Sequence, residues 1–418
     1  MNAGKWAVDG EDHRPRTVRA ALFAFVILPW LGCGLGCKSD GSMRLAPLRS
    51  ILEGPVRLRM DQTSVGLPLI EARVNRAPPR LFVVDTGTTD LILSRKLIGE
   101  TQPLALATSC IMETPTGPKN LGPVARVESL QIGSASFHGL NAGVVDLSNL
   151  EAGMGCELGG VIGMGVFADC RVTLDYPRSE LVLEPLSDAE WSEKSRDAAV
   201  VPLRLSNTGV PFIPLRIRGA TVWAMLDSGY GSAFWLSRDT VSSLHLEEAP
   251  IRLPGYDPTF LGNVSSFAFR VPDSVFLGPY EFVAPIALTN FGSSRTPGIG
   301  HDALRHFAVT IDLQKKRVRF ARPDATPIGP PPPVRHWGFY FQKEGNFGHI
   351  TGPIEVANLD RLGLEVDDRV TAVNGVAISQ LSVPDLQRLA DAHDMLFLTV
   401  IRRDREMLVR VPVSILVR

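Results

Sequence analysis

The chain repeats one pattern of short apolar segments, and this repeat constrains its fold more than any other feature. The first copy occupies residues 56–60, 68–74 and 81–87, and the second copy occupies residues 201–205, 211–217 and 222–229. Matching positions are separated by nearly constant intervals: Val201 follows Val56 by 145 residues, and Asp227 follows Asp85 by 142. Apolar runs of this length that end at turn residues are typical of β-strands. The repeat therefore predicts two β-rich lobes of similar size in one chain.

Each copy also closes in the same way. An apolar segment with glycines is followed by two short alternating segments, at 160–163, 171–175 and 180–184 in the first copy and at 298–300, 308–312 and 317–320 in the second. Gly300 follows Gly163 by 137 residues, and Asp312 follows Asp175 by the same interval. Because side chains alternate between the faces of a strand, the last two segments of the first copy predict a hairpin with its turn at 177–179.

A triplet of Asp, Thr or Ser, and Gly ends the third segment of each copy, at Asp85, Thr86 and Gly87 and at Asp227, Ser228 and Gly229. One triplet alone favours a β-turn, since Asp and Gly are common turn residues and such a match arises by chance about 0.2 times in a chain of this length. Two triplets at matching positions of a repeat favour catalysis. With these motifs, residues 55–322 resemble the aspartic peptidases, and in particular the retropepsin-like bacterial proteins.

The resemblance implies a mainly β fold class, with two tandem acid-protease-type β-barrel lobes at 55–190 and 198–322. It also implies one catalytic aspartate from each lobe, Asp85 and Asp227. Two carboxylates about 3 Å apart in a low-dielectric cleft cannot both ionise, so they share one proton. The ionised carboxylate takes a proton from a bound water, and the protonated one polarises the scissile carbonyl. Which aspartate has which role is a property of the pair and stays open.

The same resemblance assigns supporting roles to the loops around the aspartates. Thr86 and Ser228 match the hydroxyl pair that links the two loops by hydrogen bonds across the axis. Four glycines allow tight turns or close packing, namely Gly87 and Gly229 beside the carboxylates and Gly163 and Gly300 in a second loop beneath each aspartate. These residues complete the predicted active-site loops, together with Thr88 and Ser232.

Two departures from the family pattern leave an alternative function open. Thr88, whose hydroxyl is expected to bond the outer carboxylate oxygen, is matched in the second copy by Tyr230, and Ser232 is the hydroxyl that would compensate. No tyrosine lies between Asp85 and Gly163, so the flap is expected from the turn-rich segment 108–127, with a second flap at 254–258. The alternative is a catalytically lapsed protease-fold scaffold that binds extended peptides. A peptidase that cuts only its own chain or one partner also stays open.

The amino terminus has the pattern of an export signal. Three arginines between residues 14 and 19 precede an apolar run at 20–31, which is shorter than the roughly 20 residues of a membrane-spanning helix. Cys33 and Cys37 each follow a glycine, as in a bacterial lipoprotein signal, although neither has the usual Leu three residues earlier. We expect a leader at 1–40, a linker at 41–54 and export to the periplasm or cell envelope. Lipid anchoring at Cys37 or Cys33, a simple cleaved signal and a buried segment all stay open.

The segment after the second copy is predicted to be a separate module behind a stiff Pro-rich linker at 323–336. Residues 362–375 resemble the core of a PDZ domain, which implies such a domain at 337–418, and residues 382–390 predict a helix with Ser382 as N-cap. PDZ domains bind a peptide, often by its C-terminal carboxylate, as an added strand at a sheet edge. We expect this edge at Gly338, Phe339, Tyr340 and Phe341. A module that only orients the protease stays open.

Composition excludes several other functions. With 43 Lys and Arg against 44 Asp and Glu, the chain has a formal net charge of −1, which argues against nucleic acid as a partner. No phosphate loop, His-Glu-x-x-His segment or zinc-like spacing occurs, so we expect neither a cofactor nor a metal. Beyond the leader, Cys110, Cys156 and Cys170 allow one disulfide in any of three pairings, or a buried thiol at Cys170. The expected partner is a protein or peptide substrate.

Overall fold

A computed structural model describes most of the chain after the amino terminus. The described residues are 35–36, 47, 49–62, 66–100, 107–114, 117–154, 156–186, 198–246, 251–253, 257–259, 262–264, 267–289, 296–324, 326–351, 359–366, 368–381 and 383–417. The fold is mainly β, as predicted. Within these ranges no helix has the length and apolar character needed to cross a membrane. Cys33, Cys37 and the predicted N-cap Ser382 lie outside them.

The first lobe contains the strands and helices up to residue 185. They are β1 (Leu35–Gly36), β2 (Arg49–Ile51), β3 (Val56–Arg59), β4 (Asp61–Gln62), β5 (Pro68–Val74), β6 (Arg80–Asp85), β7 (Leu91–Ser94), α1 (Arg95–Glu100), β8 (Ala107–Thr114), β9 (Gly117–Ile132), β10 (Ala135–Val145), α2 (Ser148–Met154), β11 (Gly160–Gly163), β12 (Cys170–Asp175) and β13 (Glu180–Pro185). A 3₁₀ turn at Met164–Phe167 follows β11. The predicted hairpin is present, because β12 and β13 pair antiparallel around residues 176–179.

The second lobe repeats this order. Its elements are β14 (Ala198–Pro202), β15 (Arg204–Leu205), β16 (Pro211–Ile217), β17 (Ala220–Leu226), β18 (Phe234–Trp235), α3 (Arg238–Ser243), β19 (Ile251–Arg252), β20 (Asp257–Thr259), β21 (Gly262–Val264), β22 (Phe267–Arg270), β23 (Val275–Leu277), β24 (Tyr280–Phe282), β25 (Ile286–Thr289), β26 (Gly298–Ile299), α4 (His301–Leu304), β27 (Ala308–Asp312) and β28 (Arg317–Ala321). The sheet order β10-β7-β11-β6-β5-β4 of the first lobe matches β25-β18-β26-β17-β16-β15 of the second. The sequence repeat is therefore a repeat of topology.

One six-stranded sheet joins the two lobes, in the order β14-β28-β27-β12-β13-β3. The lobes meet where β12 pairs antiparallel with β27, and Thr173 lies opposite Thr310 at that contact. Their hydroxyl oxygens are 2.9 Å apart. Because Thr310 is 137 residues after Thr173, equivalent residues of the two copies pair with each other. This pairing places the pseudo-twofold axis of the acid-protease-type fold between the two threonines.

The C-terminal module follows the prolines at 330–333. It contains β29 (Val334–His336), β30 (Tyr340–Glu344), β31 (Phe347–Thr351), β32 (Arg369–Val373), β33 (Val376–Ala377), α5 (Val383–Ala392), β34 (Met395–Arg402), β35 (Arg405–Pro412) and β36 (Ser414–Val417), with 3₁₀ turns at Leu359–Leu362 and Ile378–Gln380. The module has its own apolar core, which includes Phe339, Phe341, Leu386 and Leu398. Strand β36 pairs with β29 outside the main sheet of the module.

Two of the cysteines have described side chains. Cys156 and Cys170 are both free thiols, so neither takes part in the disulfide that the sequence left open. Cys170 is buried, and its thiol lies 3.7 Å from the carbonyl oxygen of Phe167. Burial raises the pKa of the Cys170 thiol to about 12. A neutral, buried thiol of this kind behaves as a small apolar side chain.

Candidate active site

The two aspartates end equivalent buried strands. Asp85 is the last residue of β6, and Asp227 directly follows β17. Strand β6 runs parallel to β11, with Asp85 opposite Gly163, and β17 runs parallel to β26 in the same way. The residues that precede Asp85 are fully buried, from Phe82 to Val84. The apolar runs read from the sequence thus form core strands that hold each aspartate at the centre of its lobe.

The hydroxyls of Thr86 and Ser228 connect the two aspartate loops by four hydrogen bonds. The Thr86 N–H donates to Ser228 Oγ at 2.9 Å, and the Ser228 N–H donates to Thr86 Oγ1 at 2.8 Å. Each hydroxyl then donates across the axis to a carbonyl, Thr86 to Leu226 and Ser228 to Val84, both at 2.7 Å. Because every bond in one direction has an equivalent in the other, the two loops are held in one symmetric arrangement.

Replacing Thr86 by Val tests this arrangement. Valine has nearly the same shape as threonine but removes the hydroxyl, which leaves the buried Ser228 N–H and the Leu226 carbonyl without their bonds. We expect Thr86→Val to lower the free energy of unfolding by about 2–4 kcal/mol, since each buried unsatisfied group costs roughly 1–3 kcal/mol. Thr86→Ser keeps the hydroxyl and is the matched control. Thermal unfolding midpoints that are the same for both variants would contradict a structural role for these bonds.

Gly87 and Gly229 place main-chain donors and free space beside the carboxyl groups. The Gly87 N–H donates to Asp85 Oδ1 at 2.8 Å, and the Gly229 N–H donates to Asp227 Oδ1 at 2.9 Å. A Cβ at Gly87 would lie 2.5 Å from Asp227 Cγ, and one at Gly229 would lie 2.7 Å from Asp85 Cγ. Each glycine therefore supports its own aspartate and leaves room for the partner aspartate.

The two carboxyl groups form a buried pair. Asp85 is 0% exposed and Asp227 is 1% exposed, and the two side chains are within hydrogen-bonding range of each other. Burial raises the pKa of Asp85 to about 6. Burial, and then the negative charge of Asp85, raise the pKa of Asp227 well above its usual value of 3.8. Neither Oδ2 atom accepts a hydrogen bond from the described residues. A single proton held between the carboxyls explains both the raised pKa values and the lack of other donors to the Oδ2 atoms.

A second loop supports each aspartate loop from below. In the first lobe, the N–H groups of residues 163, 164 and 165 donate to the carbonyls of residues 90, 88 and 89, at 2.8–3.0 Å. In the second lobe, residues 300, 301 and 302 donate to residues 233, 230 and 231, at 2.6–3.2 Å. A Cβ at Gly163 would lie 2.5 Å from the Asp90 carbonyl, and one at Gly300 would lie 2.4 Å from Tyr230. Only glycine permits this close approach.

Two hydroxyls do not make the contacts expected from the sequence. The Thr88 hydroxyl is buried and has no hydrogen-bond partner among the described residues, so it does not bond Asp85. Tyr230, at the matching position, is buried with its hydroxyl 3.5 Å from the Phe234 carbonyl. Ser232 is half-buried, and no hydrogen bond links it to Asp227 in the described part of the chain. The two lobes therefore differ at this loop position.

No sequence motif marks Tyr176, which lies near the pair. Tyr176 is 3% exposed, and its hydroxyl has no partner among the residues described. Burial, and then the charges of Asp227 and Asp85, raise the pKa of Tyr176. Its ring packs at 5.4 Å against His301, whose pKa burial lowers to about 4. His301 is thus a neutral packing residue. The only sequence signal for Tyr176 was its place directly after β12.

A hairpin occurs where the first flap is expected, and a second hairpin overlaps the segment expected as the second flap, 254–258, only at residues 257 and 258. In the first lobe β8 pairs with β9, and in the second lobe β20 pairs with β21. The backbone of β20 also contacts α2 of the first lobe, so this hairpin reaches across to the other lobe. Residues 115–116 and 254–256 lie outside the described ranges. The role of these hairpins as flaps stays a prediction.

The predicted peptide-binding residues of the module lie at a sheet edge. Strand β30 is the first strand of the sheet order β30-β31-β32-β34-β35, and it begins at Tyr340. Gly338 and Phe339 lie in the bend before it, and Gly338 has a φ of +97°, which favours glycine. Phe339 and Phe341 are fully buried in the module's core. Two of the four residues thus pack the interior and are not available to a ligand.

Comparison with known proteins agrees with this class of site. Residues 70–166, which contain Asp85 and Gly163, match the model of a family described as aspartyl protease, and this match supports an aspartic protease function. Among solved structures, 440 chains match, including the crystal structure of basic 7S globulin from soybean. That structure has 13% sequence identity and a TM-score of 0.38, and the match covers 66% of this chain and 96% of the globulin chain. No curated protein matches the chain significantly.

Proposed function

We propose that this chain is an exported aspartic endopeptidase that hydrolyses peptide bonds with a water activated between Asp85 and Asp227. One observation carries the proposal, namely the pair of buried carboxyl groups, one from each lobe, within hydrogen-bonding range. Buried carboxyls that are not catalytic are usually paired with cations. No described Lys or Arg is among the groups that shift the pKa of either aspartate, whereas each aspartate shifts the pKa of the other.

The arrangement suits general acid–base catalysis by one shared proton. The two Oδ2 atoms, which lack donors among the described residues, are the positions where a water would accept and donate hydrogen bonds. The ionised carboxyl removes a proton from this water as it attacks the carbonyl carbon, while the protonated carboxyl donates to the carbonyl oxygen. The tetrahedral intermediate then collapses: the carboxyl that took the proton of water gives it to the nitrogen, the other carboxyl takes back a hydroxyl proton as the carbonyl re-forms, and the carbon–nitrogen bond breaks. Each turnover returns the pair to one proton.

We also propose that the C-terminal module is a PDZ domain that binds the end of a peptide. The edge strand β30 and the helix α5 support this proposal, because an added peptide strand needs an edge with unpaired backbone groups. Leu386 and Ala390 of α5 are buried in the module's core, so the helix is fixed in position. Export and lipid anchoring at Cys37 or Cys33 complete the proposal, and the basic and apolar segments of the leader support them.

Cleavage of a peptide library tests the proposed function. Protein that lacks only the predicted leader is incubated with an unstructured peptide library at pH 3 to 8, and the products are identified by mass spectrometry. We expect internal cuts between preferred apolar residues. Asp239→Asn, which changes an exposed aspartate in the second lobe, is the matched control for Asp85→Asn and Asp227→Asn. It should cut the same bonds as the wild type. If the wild type cuts no peptide at any pH, the endopeptidase proposal fails and the lapsed, peptide-binding scaffold is favoured.

A further inference from the structure

Tyr230 connects the Asp227 loop to its surroundings through both main chain and side chain. Its N–H donates to the Asp227 carbonyl at 3.2 Å, and its carbonyl accepts from the His301 N–H at 2.6 Å. Its ring is 1% exposed and lies edge-on to Trp235, with ring centroids 6.0 Å apart. On the other side the ring covers Gly300, where a Cβ would lie 2.4 Å from Tyr230 Cδ1. Any shift of this ring therefore moves the loop that carries Asp227.

The last strand of the C-terminal module belongs to the same apolar cluster. The buried members of this cluster, here called the junction cluster, are Tyr230, Trp235, Ala268, Leu288, Leu416 and Val417. Leu416 and Val417 lie on β36 and are each 4% exposed. Strand β36 also contacts β22 of the second lobe. Of the apolar clusters in the described part of the chain, this one combines buried residues of the second lobe with residues of the module.

The rest of the junction is loosely packed. A cavity of about 600 Å³ lies beside the junction cluster, between the second lobe, the Pro-rich linker and the module. Its lining includes Ala268 and Leu288 of the second lobe and Trp337 and Gln387 of the module. Because a cavity contributes no packing contacts, the apolar contact between module and lobe is concentrated at the junction cluster.

We propose that Tyr230 is a positioning residue through which the C-terminal module controls the placement of Asp227. Leu416 and Val417 complete the junction cluster that keeps the Tyr230 ring against Trp235 and Gly300, and the ring in turn fixes the loop that follows Asp227. The tyrosine at this position, which the first lobe fills with Thr88, is therefore an attachment point and not a sign of lost activity. This control of catalysis rests on the proposed function. The coupling between the module and the position of Asp227 does not rest on it, because this coupling exists whether or not the protein cleaves peptides.

Substitutions in β36 of the full-length protein test the coupling far from the carboxyl pair. We expect Leu416→Ala with Val417→Ala to lower kcat about 10-fold or more and to change KM less than about twofold, since small misplacements of catalytic groups reduce the chemical step. Leu416→Val removes less volume and should have an intermediate effect. Ile415→Ala changes the neighbouring residue of the same strand, which is 50% exposed, and should leave both constants unchanged. Equal kinetics in Leu416→Ala/Val417→Ala and Ile415→Ala would overturn the proposal.

Two further measurements separate positioning from general loss of structure. Tyr230→Phe keeps the ring and should retain nearly full kcat, whereas Tyr230→Ala should lose it; equal losses in both would overturn a role for ring packing. The ¹³C NMR shift of the Asp227 carboxyl, at fixed pH, should change in Leu416→Ala/Val417→Ala and not in Ile415→Ala. This shift is measured even if no peptide is cleaved, so its change supports the coupling when the endopeptidase proposal fails. An unchanged Asp227 shift would overturn the coupling even if cleavage occurs.

Discussion

Replacing Asp85 or Asp227 by Asn is expected to lower kcat for peptide cleavage by at least about 10³-fold. Asparagine keeps the shape of the side chain but neither accepts a proton from water nor donates one to the leaving nitrogen, and general acid–base catalysis contributes about 10²–10⁴-fold. Both groups act in one step, so each single variant should lose nearly as much as the double variant. The measurement is the steady-state rate on one fluorogenic peptide taken from the library. Retained cleavage in both variants would contradict the role of the pair.

Stability distinguishes loss of catalysis from loss of fold in these variants. The pKa of Asp85 is raised from 3.8 to about 6, so the folded protein binds this proton more tightly than the unfolded chain does. The resulting stability is fully present below about pH 4 and is lost as the pH rises through about 6. Asn carries no such proton, so the stability of Asp85→Asn does not fall in this way. The free energy of unfolding of the variant should therefore rise relative to that of the wild type between pH 4 and pH 7. Thermal unfolding at both pH values checks this gain.

A methyl group at Gly87 is expected to remove both activity and stability. The Cβ of Gly87→Ala would lie 2.5 Å from Asp227 Cγ and 2.6–2.7 Å from its carboxylate oxygens. The Asp227 side chain has no room to withdraw, because it is buried and its Oδ1 is held by the Gly229 N–H. We expect kcat to fall by about 10²-fold or more and the free energy of unfolding to fall by about 1–3 kcal/mol.

The matched control for Gly87→Ala is Gly54→Ala. A Cβ at Gly54 meets no atom within 4 Å, and the residue precedes β3 away from the carboxyl pair. This variant should have wild-type kinetics and an unfolding free energy within about 0.5 kcal/mol of the wild type. If Gly87→Ala behaves like Gly54→Ala, the two aspartate loops are farther apart in solution than the structure places them.

The sequence predicted best those features whose local motif occurs in both copies of the repeat. The apolar runs before Asp85 and Asp227 form the expected core strands, and the matching intervals become matching topology. The hydroxyls of Thr86 and Ser228 meet across the axis as the family resemblance implied. For the strands, spacing carries the information, because a strand that ends at a fixed motif determines where its side chains point. The hydroxyl pair was expected from the resemblance.

Contacts between distant segments that no family motif marks were not predicted. The pairing of Thr173 with Thr310 joins strands of two lobes, and each strand alone shows only its alternation of apolar residues. Periodicity identifies the side of a strand that is buried, not the segment that covers it. For the same reason the sequence shows Tyr230 only as a departure from the catalytic pattern, since it shares an apolar cluster with Leu416, which lies 186 residues further along the chain. For Thr88 the sequence led to the expectation of a hydrogen bond to the Asp85 carboxylate. The Thr88 hydroxyl has no hydrogen-bond partner among the described residues.

Titration of the two aspartates in the folded protein tests the central claim most directly. Wild-type protein with ¹³C-labelled aspartate carboxyls is followed by NMR from pH 3 to 8, and Asp85→Asn and Asp227→Asn assign the two signals. A buried pair that shares one proton should show two apparent pKa values that belong to the pair, with at least one at about 6 or above. If both carboxyls titrate independently near 3.8, they do not share a proton, and the mechanism proposed for this chain is wrong.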